Sequence, residues 1–183
     1  TMGALATAVQ QGKALYVGLS NYDGKTLKKA TAILKDLHCP FVINQNRYSI
    51  FDRTIENNGL KQTAVELKKG IIAFSPLAQG LLTNRYLNGI PSDSRAAKDS
   101  RFLKQSAITD EKIAKIKALS KIAEQRGQTL AETALAWLLK DGAVTSVLIG
   151  ASKPSQILDN IKAIQNTSFS VEELEAIDKI SLD

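Results

Sequence analysis

The run Gly150-Ala151-Ser152-Lys153-Pro154-Ser155-Gln156-Ile157-Leu158-Asp159-Asn160 carries much of the chemistry in this sequence. An apolar stretch, Thr145 to Ile149, leads into it, and Pro154 marks the first turn of a helix. Unpaired backbone N–H groups at a helix start, joined by a serine hydroxyl and a lysine, make an anion site. Gln156, Asp159 and Asn160 stand three and four apart, so they share one helix face. Three further groups follow short apolar runs: Ser20-Asn21-Tyr22, Asn44-Gln45 and Ser75-Pro76-Leu77. An Asn or Gln side chain offers a donor and an acceptor together and suits a polar ligand. Arg85 and Arg95 lie in a stretch without periodicity, and a guanidinium can meet a phosphate through two bonds. There is no GxGxxG, so a Rossmann dinucleotide site is excluded.

These residues are positioned by a repeating order of elements. Residues 2–11 read as a helix ended by Gly12, followed by a strand at 15–19. A helix over 26–37 presents Leu27, Ala30, Ile33, Leu34 and Leu37 on one face. Strands at 41–44 and 71–75 flank a helix over 60–69. Residues 79–108 show no period, and a connection of that length is usually functional. Thr109 caps a helix to about Gln125. Thr129 with Glu132, and Ser170 with Glu173, have the spacing of capping boxes. The last strand spans 145–149, and Pro154 opens a helix to about Ile164. Strand–helix alternation predicts a parallel α/β architecture. Four such units fit half of a (β/α)8 barrel or a small doubly wound sheet, and periodicity alone leaves both open. In either, ligands meet the carboxyl ends of the strands.

Composition narrows the classes. The net charge is +6, with 24 Lys and Arg against 18 Asp and Glu. Most of the basic residues are scattered among acids on helical patterns, which argues for a solvated surface and against nucleic acid. No apolar run is long enough to span a bilayer, so no membrane partner is expected. No basic-then-apolar leader is visible. The one cysteine, Cys39, excludes an internal disulfide framework and fits a reducing, cytoplasmic setting. Cys39 reads as buried and inert, and His38 beside it as a helix-end residue; no metal site is expected. The sequence opens inside what reads as a helix with no cap ahead of it, as a segment of a longer protein would.

Four junctions together carry a resemblance. KALYVGLSNY (13–22), VINQNRYSIFDR (42–53), IAFSPLAQGLLT (72–83) and SVLIGASKPSQILDN (146–160) resemble aldo-keto reductase strand ends, in that family's order and spacing. The likeness covers essentially the whole chain. It is nearest the bacterial branch similar to potassium-channel β subunits and glyceraldehyde-phosphate reductases. It implies a single domain over 1–183, the C-terminal half of a TIM barrel, with residues 84–108 as a loop folding over a cofactor. The implied activity is NADPH-dependent reduction of aldehydes and ketones. By the same resemblance Ser20, Asn21 and Gln45 would hold the nicotinamide carboxamide, and Phe74 would stack beneath the ring, where many members carry Tyr or Trp. Ser75, Pro76, Leu77 and the turn up to Gly80 would wrap the pyrophosphate through the backbone N–H groups that the turn offers, with Arg85 and Arg95 nearby. Ser152 and Lys153 would meet the 2′-phosphate, Gln156, Asp159 and Asn160 the adenosine, and Gly150 would belong to the same cofactor site. Lys98, Arg101 and Lys104 have no counterpart and read as solvated.

The resemblance also implies what this chain lacks. The family's catalytic Asp, Tyr, Lys and His belong to the first four βα units, so no residue here is expected to be catalytic. Of the tyrosines, only Tyr48 could line a substrate mouth. The expected partners are a small carbonyl substrate and the missing N-terminal half of the barrel, with a homo-oligomer also open. Two other readings stand beside the enzyme: a nucleotide-binding regulatory protein and a catalytically inactive half-barrel module.

Overall fold

The computed structural model describes residues 1–182 except 93, 99, 100 and 102, and Arg95 by its backbone alone. In chain order the elements are α1 (Met2–Gln10), β1 (Val17–Ser20), α2 (Gly24–Asp36), β2 (Phe41–Arg47), α3 (Thr54–Asn57), α4 (Leu60–Glu66), β3 (Gly70–Phe74), α5 (Arg95–Lys98), α6 (Asp110–Gln125), α7 (Leu130–Leu139), β4 (Ser146–Leu148), α8 (Pro154–Ile161) and α9 (Val171–Leu182). Short 3-10 turns occupy 78–80, 84–86, 105–107 and 162–165.

Local chemistry accounts for the helix ends. The Asp23 side chain accepts from Thr26 N at 2.6 Å and starts α2. Thr129 and Glu132 bond reciprocally at the head of α7, at 3.2 and 2.8 Å, and Ser170 and Glu173 do the same at the head of α9. Both capping boxes form as expected. At the C-terminus of α2, Cys39 N donates to Leu34 O at 2.9 Å and His38 N to Lys35 O at 3.0 Å. That pair of bonds is a Schellman motif with His38 in the left-handed position usually held by glycine, at φ 52°. Lys68 closes α4 in the same way at φ 53°. Each closure turns the chain straight into the next strand. Cys39 is buried, as expected.

The chain divides into two compact units. The first comprises residues 1–48, 53–74 and 141–148 and holds the sheet. Its strands are parallel and ordered β1-β2-β3-β4. An unbroken sequential order is that of successive barrel strands, whereas a doubly wound sheet reverses order part-way. One sheet face carries Leu19, Asn44, Asn46, Ile71 and Ala73, all buried. Leu27, Leu34, Leu60 and Ala64 of α2 and α4 complete this core, each fully buried. Gly24 lets those two helices approach: a Cβ there would lie 2.5 Å from the Gly59 carbonyl oxygen. The opposite face carries Ser20, Ile43, Gln45, Ile72, Phe74 and Leu148, half-buried or exposed. Only this one face is covered, which gives the alternation of burial along β1 and β3.

Several boundaries differ from expectation. The first strand begins at Val17, leaving Leu15 and Tyr16 exposed. The second continues through Arg47 because Gln45, Asn46 and Arg47 pair with Ile72, Ala73 and Phe74. The single turn of α3 is too short to produce a readable period, and α4 ends at Glu66 rather than Lys69.

The second unit comprises residues 49–52, 75–140 and 149–183. Its core gathers Leu82, Tyr86, Ile116, Leu119, Leu130, Trp137 and Ile177. Arg126, just after α6, holds the segment before α9. Its guanidinium donates to Glu173 at 2.7 Å, Gln128 Oε1 at 3.0 Å, Ser168 O at 2.9 Å and Asn166 O at 3.2 Å. It also lies over the Phe169 ring, 3.6 Å from its centre. No helix among the described residues is long and apolar enough to cross a membrane.

Candidate functional site

In the first unit the parallel register brings Ser20, Gln45 and Phe74 to one end of one sheet face. Ser20 pairs with Gln45, and Phe74 pairs with Arg47. Ser20 Oγ donates to the Gln45 backbone carbonyl at 3.0 Å, and Asn21 N donates to the same oxygen at 2.9 Å. The Ser20 hydroxyl proton is thereby engaged, leaving its lone pairs to accept. Asn21 sits at φ 59°, in the left-handed region that Asn tolerates better than most residues. Asn44 and Gln45 lie within β2 rather than after it, and they face opposite ways: Gln45 is half-buried on the open face, Asn44 fully buried on the other.

In the second unit, residues 75–80 form a tight, strained turn. Ser75, Ala78 and Gln79 all have positive φ, at 54°, 47° and 61°. Strain of this kind persists only where surroundings fix it, and it clusters at ligand sites. Ala78 N donates to Ser75 O and Gly80 N to Leu77 O, at 3.0 and 2.9 Å, so those two donors serve the turn itself. Gly80, at φ 96°, continues the left-handed path, and Thr83 Oγ1 donates to its carbonyl at 2.7 Å. Pro76 and Leu77 lie inside this turn, and Arg85 in the 3-10 turn that follows it. Arg95 begins α5, but its side chain lies outside the described residues.

At the start of α8 the donors converge on a side chain of the same helix. Gln156 Oε1 accepts from Ser152 N at 2.7 Å, Ser152 Oγ at 3.2 Å and Lys153 N at 3.3 Å. One amide oxygen thus occupies a nest of three donors suited to an anion's oxygen. Asp159 and Asn160 lie on the same short helix, and Asp159 is held by Lys162 Nζ at 2.9 Å. That carboxylate raises the Lys162 pKa. Gly150 leads into the nest, with no atom near its absent Cβ.

Comparison with known proteins decides the family: the aldo/keto reductase family model matches residues 1–182. The chain belongs to the aldo/keto reductase family. It is 46% identical over 182 residues to the L-glyceraldehyde 3-phosphate reductases of Escherichia coli K12 and O157:H7, covering 98% of this chain and 53% of each relative. The solved thermostable aldo-keto reductase Tm1743, in complex with the inhibitor epalrestat, matches with a TM-score of 0.70 at 26% identity, over 98% of this chain and 53% of that one. The chain therefore spans about half the length of the relatives it matches, consistent with half of an aldo-keto reductase barrel.

Aldo/keto reductases are oxidoreductases that use nicotinamide cofactors, and the donor sets fit such a group. Amides and a hydroxyl gather at the strand ends of the first unit, while an N–H nest with an adjoining lysine stands in the second. Tyr48 does not line an open mouth. It is fully buried, and its hydroxyl donates to Glu56, which also pairs with Arg53 at 3.2 Å. Burial, and then the bond to Glu56, push the phenol pKa above its ordinary range. A cleft of about 390 Å³ beside this group is lined by Glu56, Lys61, Gln62, Val65, Asp141 and Ala143. Its charges satisfy one another, with Lys61 bonded to Asp141 at 2.6 Å, and they resemble a surface ion-pair network. Sequence reasoning missed Asn46, which is buried and donates to Tyr22 O at 3.2 Å. The signal available was an amide two residues from another, spacing that puts both on one strand face.

Proposed function

We propose that the protein carrying this chain reduces a small aldehyde or ketone to an alcohol with NADPH, and that this chain supplies most of the cofactor site. When bound, NADPH supplies the reducing equivalents that convert the carbonyl. Ser20, Asn21 and Gln45 orient its carboxamide, Phe74 supports the ring, and the turn from Ser75 to Gly80, with Arg85 and Arg95, holds the pyrophosphate. Ser152 and Lys153 receive the 2′-phosphate and favour NADPH over NADH by charge, while Gln156, Asp159 and Asn160 take the adenosine. The proton donor to the carbonyl oxygen comes from the complementary half of the barrel, so this chain alone is inactive in this reading.

The observation that carries the proposal is the nest at α8: two backbone N–H groups and a hydroxyl converge on one oxygen beside Lys153. The relatives' name makes glyceraldehyde 3-phosphate the first substrate to assay, beside simple unphosphorylated aldehydes. The test follows NADPH absorbance with the full-length protein. Consumption that depends on the aldehyde supports the reading. Tight NADPH binding with no consumption across a panel of aldehydes and ketones would overturn it in favour of a nucleotide-binding regulatory protein.

A further inference from the structure

Two asparagines interrupt the buried face of β2. Asn44 is fully buried and Asn46 is 5% exposed, on the face otherwise formed by Leu19, Ile71 and Ala73. Amides are costly to bury, so their bonds have to be accounted for. Asn44 Nδ2 donates to Asn46 Oδ1. With its oxygen engaged, Asn46 can direct only its nitrogen outward, and that nitrogen donates to Tyr22 O at 3.2 Å. Asn44 Oδ1 has no hydrogen-bond partner among the described residues. An apolar pair would fill this space without either the desolvation or the orphaned oxygen, so packing alone does not account for the arrangement.

What the pair does is hold the turn after β1. Ser20 Oγ and Asn21 N both bond to the carbonyl of Gln45, and the next residue of β2, Asn46, bonds to the carbonyl of Tyr22. Consecutive residues of one strand therefore grip both sides of Asn21, whose left-handed backbone would relax without them. From this juxtaposition we infer that Asn44 and Asn46 are positioning residues for the nicotinamide end of the site: Asn44 fixes the orientation of the Asn46 amide, and Asn46 sets the placement of Ser20 and Asn21. The inference rests on the cofactor reading above.

The test compares two ligands on the full-length protein: NADPH, and 2′-phospho-ADP-ribose, which lacks the nicotinamide. Asn46→Ala removes the tether, and Asn44→Ala frees the Asn46 amide to turn. Loss of one positioning hydrogen bond is worth roughly tenfold in affinity. The expected result is a tenfold weaker NADPH affinity in Asn46→Ala, a smaller loss in Asn44→Ala, and 2′-phospho-ADP-ribose affinity within about twofold of wild type in both. Equal loss for the two ligands would mean a merely structural role and overturn the inference, as would unchanged NADPH affinity in both variants. If Asn46→Ala does not fold, the same ratio in Asn44→Ala decides. A wild-type protein that binds neither ligand would instead defeat the cofactor reading itself.

Discussion

Gln156→Glu separates the two roles of the α8 nest. In the folded chain the Gln156 oxygen accepts from Ser152 N, Ser152 Oγ and Lys153 N. Glutamate has nearly the same shape and places a negative charge in that position. A carboxylate at a helix N-terminus stabilises by about 0.3–1 kcal/mol. For a chain of this size that corresponds to a rise in Tm of roughly 1–4 °C. The same charge opposes a phosphate seeking the same donors. Two unit charges about 4 Å apart in water repel by about 1 kcal/mol. A phosphate monoester carries about −1.5 to −2, so the penalty is about 2 kcal/mol, or roughly 30-fold in NADPH Kd. The variant is thus expected to melt higher and bind NADPH more weakly. Differential scanning fluorimetry and NADPH fluorescence titration measure the two, and the binding defect should shrink at high salt. A variant that binds NADPH as wild type does would refute the placement of the phosphate at this nest.

Arg126→Ala removes a guanidinium whose side chain is 3% exposed, takes the Arg126 donor from Ser168 O, and leaves Asn166 O and Glu173 with only Gln128 Nε2 and Ser170 N as donors. Breaking such a tie costs about 3 kcal/mol, so Tm should fall by roughly 6–12 °C, and Arg126→Lys should lie between the two; a fall below about 2 °C would show the contacts to be incidental. Tyr48 holds its proton more tightly when folded than when unfolded, because of burial and the bond to Glu56. Its contribution is therefore fully present below the ordinary phenol pKa of about 10 and is lost as pH rises beyond it. Alkaline titration followed by phenolate absorbance should show Tyr48 ionising only on unfolding, a component lost in Tyr48→Phe; smooth ionisation of Tyr48 in the folded state would contradict this.

Features set by local spacing could be read from the sequence. The capping boxes at Thr129 and Ser170 need only a partner three residues on, and the helices they open lie where expected. The polar residues Gln45-Asn46-Arg47 fall beyond the strand read over 41–44, yet they are strand, because β3 supplies ladder partners and the asparagine amides find each other and Tyr22 O. Those partners are distant in sequence, so no window contains them. His38 and Lys68 close helices where glycine would have announced the turn. At the candidate site, the donors of Ser152 and Lys153 follow from their place before Pro154. The inward turn of Gln156 depends on a side-chain rotamer and could not be read.

The division of the sheet across the sequence has a consequence for the time course of folding. Register pairs Val17 with Phe41 and Ile43 with Gly70, but Ile72 with Ser146. The last pairing closes a loop about three times longer, at an added entropic cost of roughly 1 kcal/mol. The first three strands can therefore zip in sequence order, whereas β4 must wait while residues 75–140 find their own core. During that interval the free edge of β3 is a site for premature pairing with another chain. A ribosome delivering the chain from its N-terminus would prolong the exposure. The strand that leads into the nest at α8 is thus the last to be fixed, and the nest matures with it.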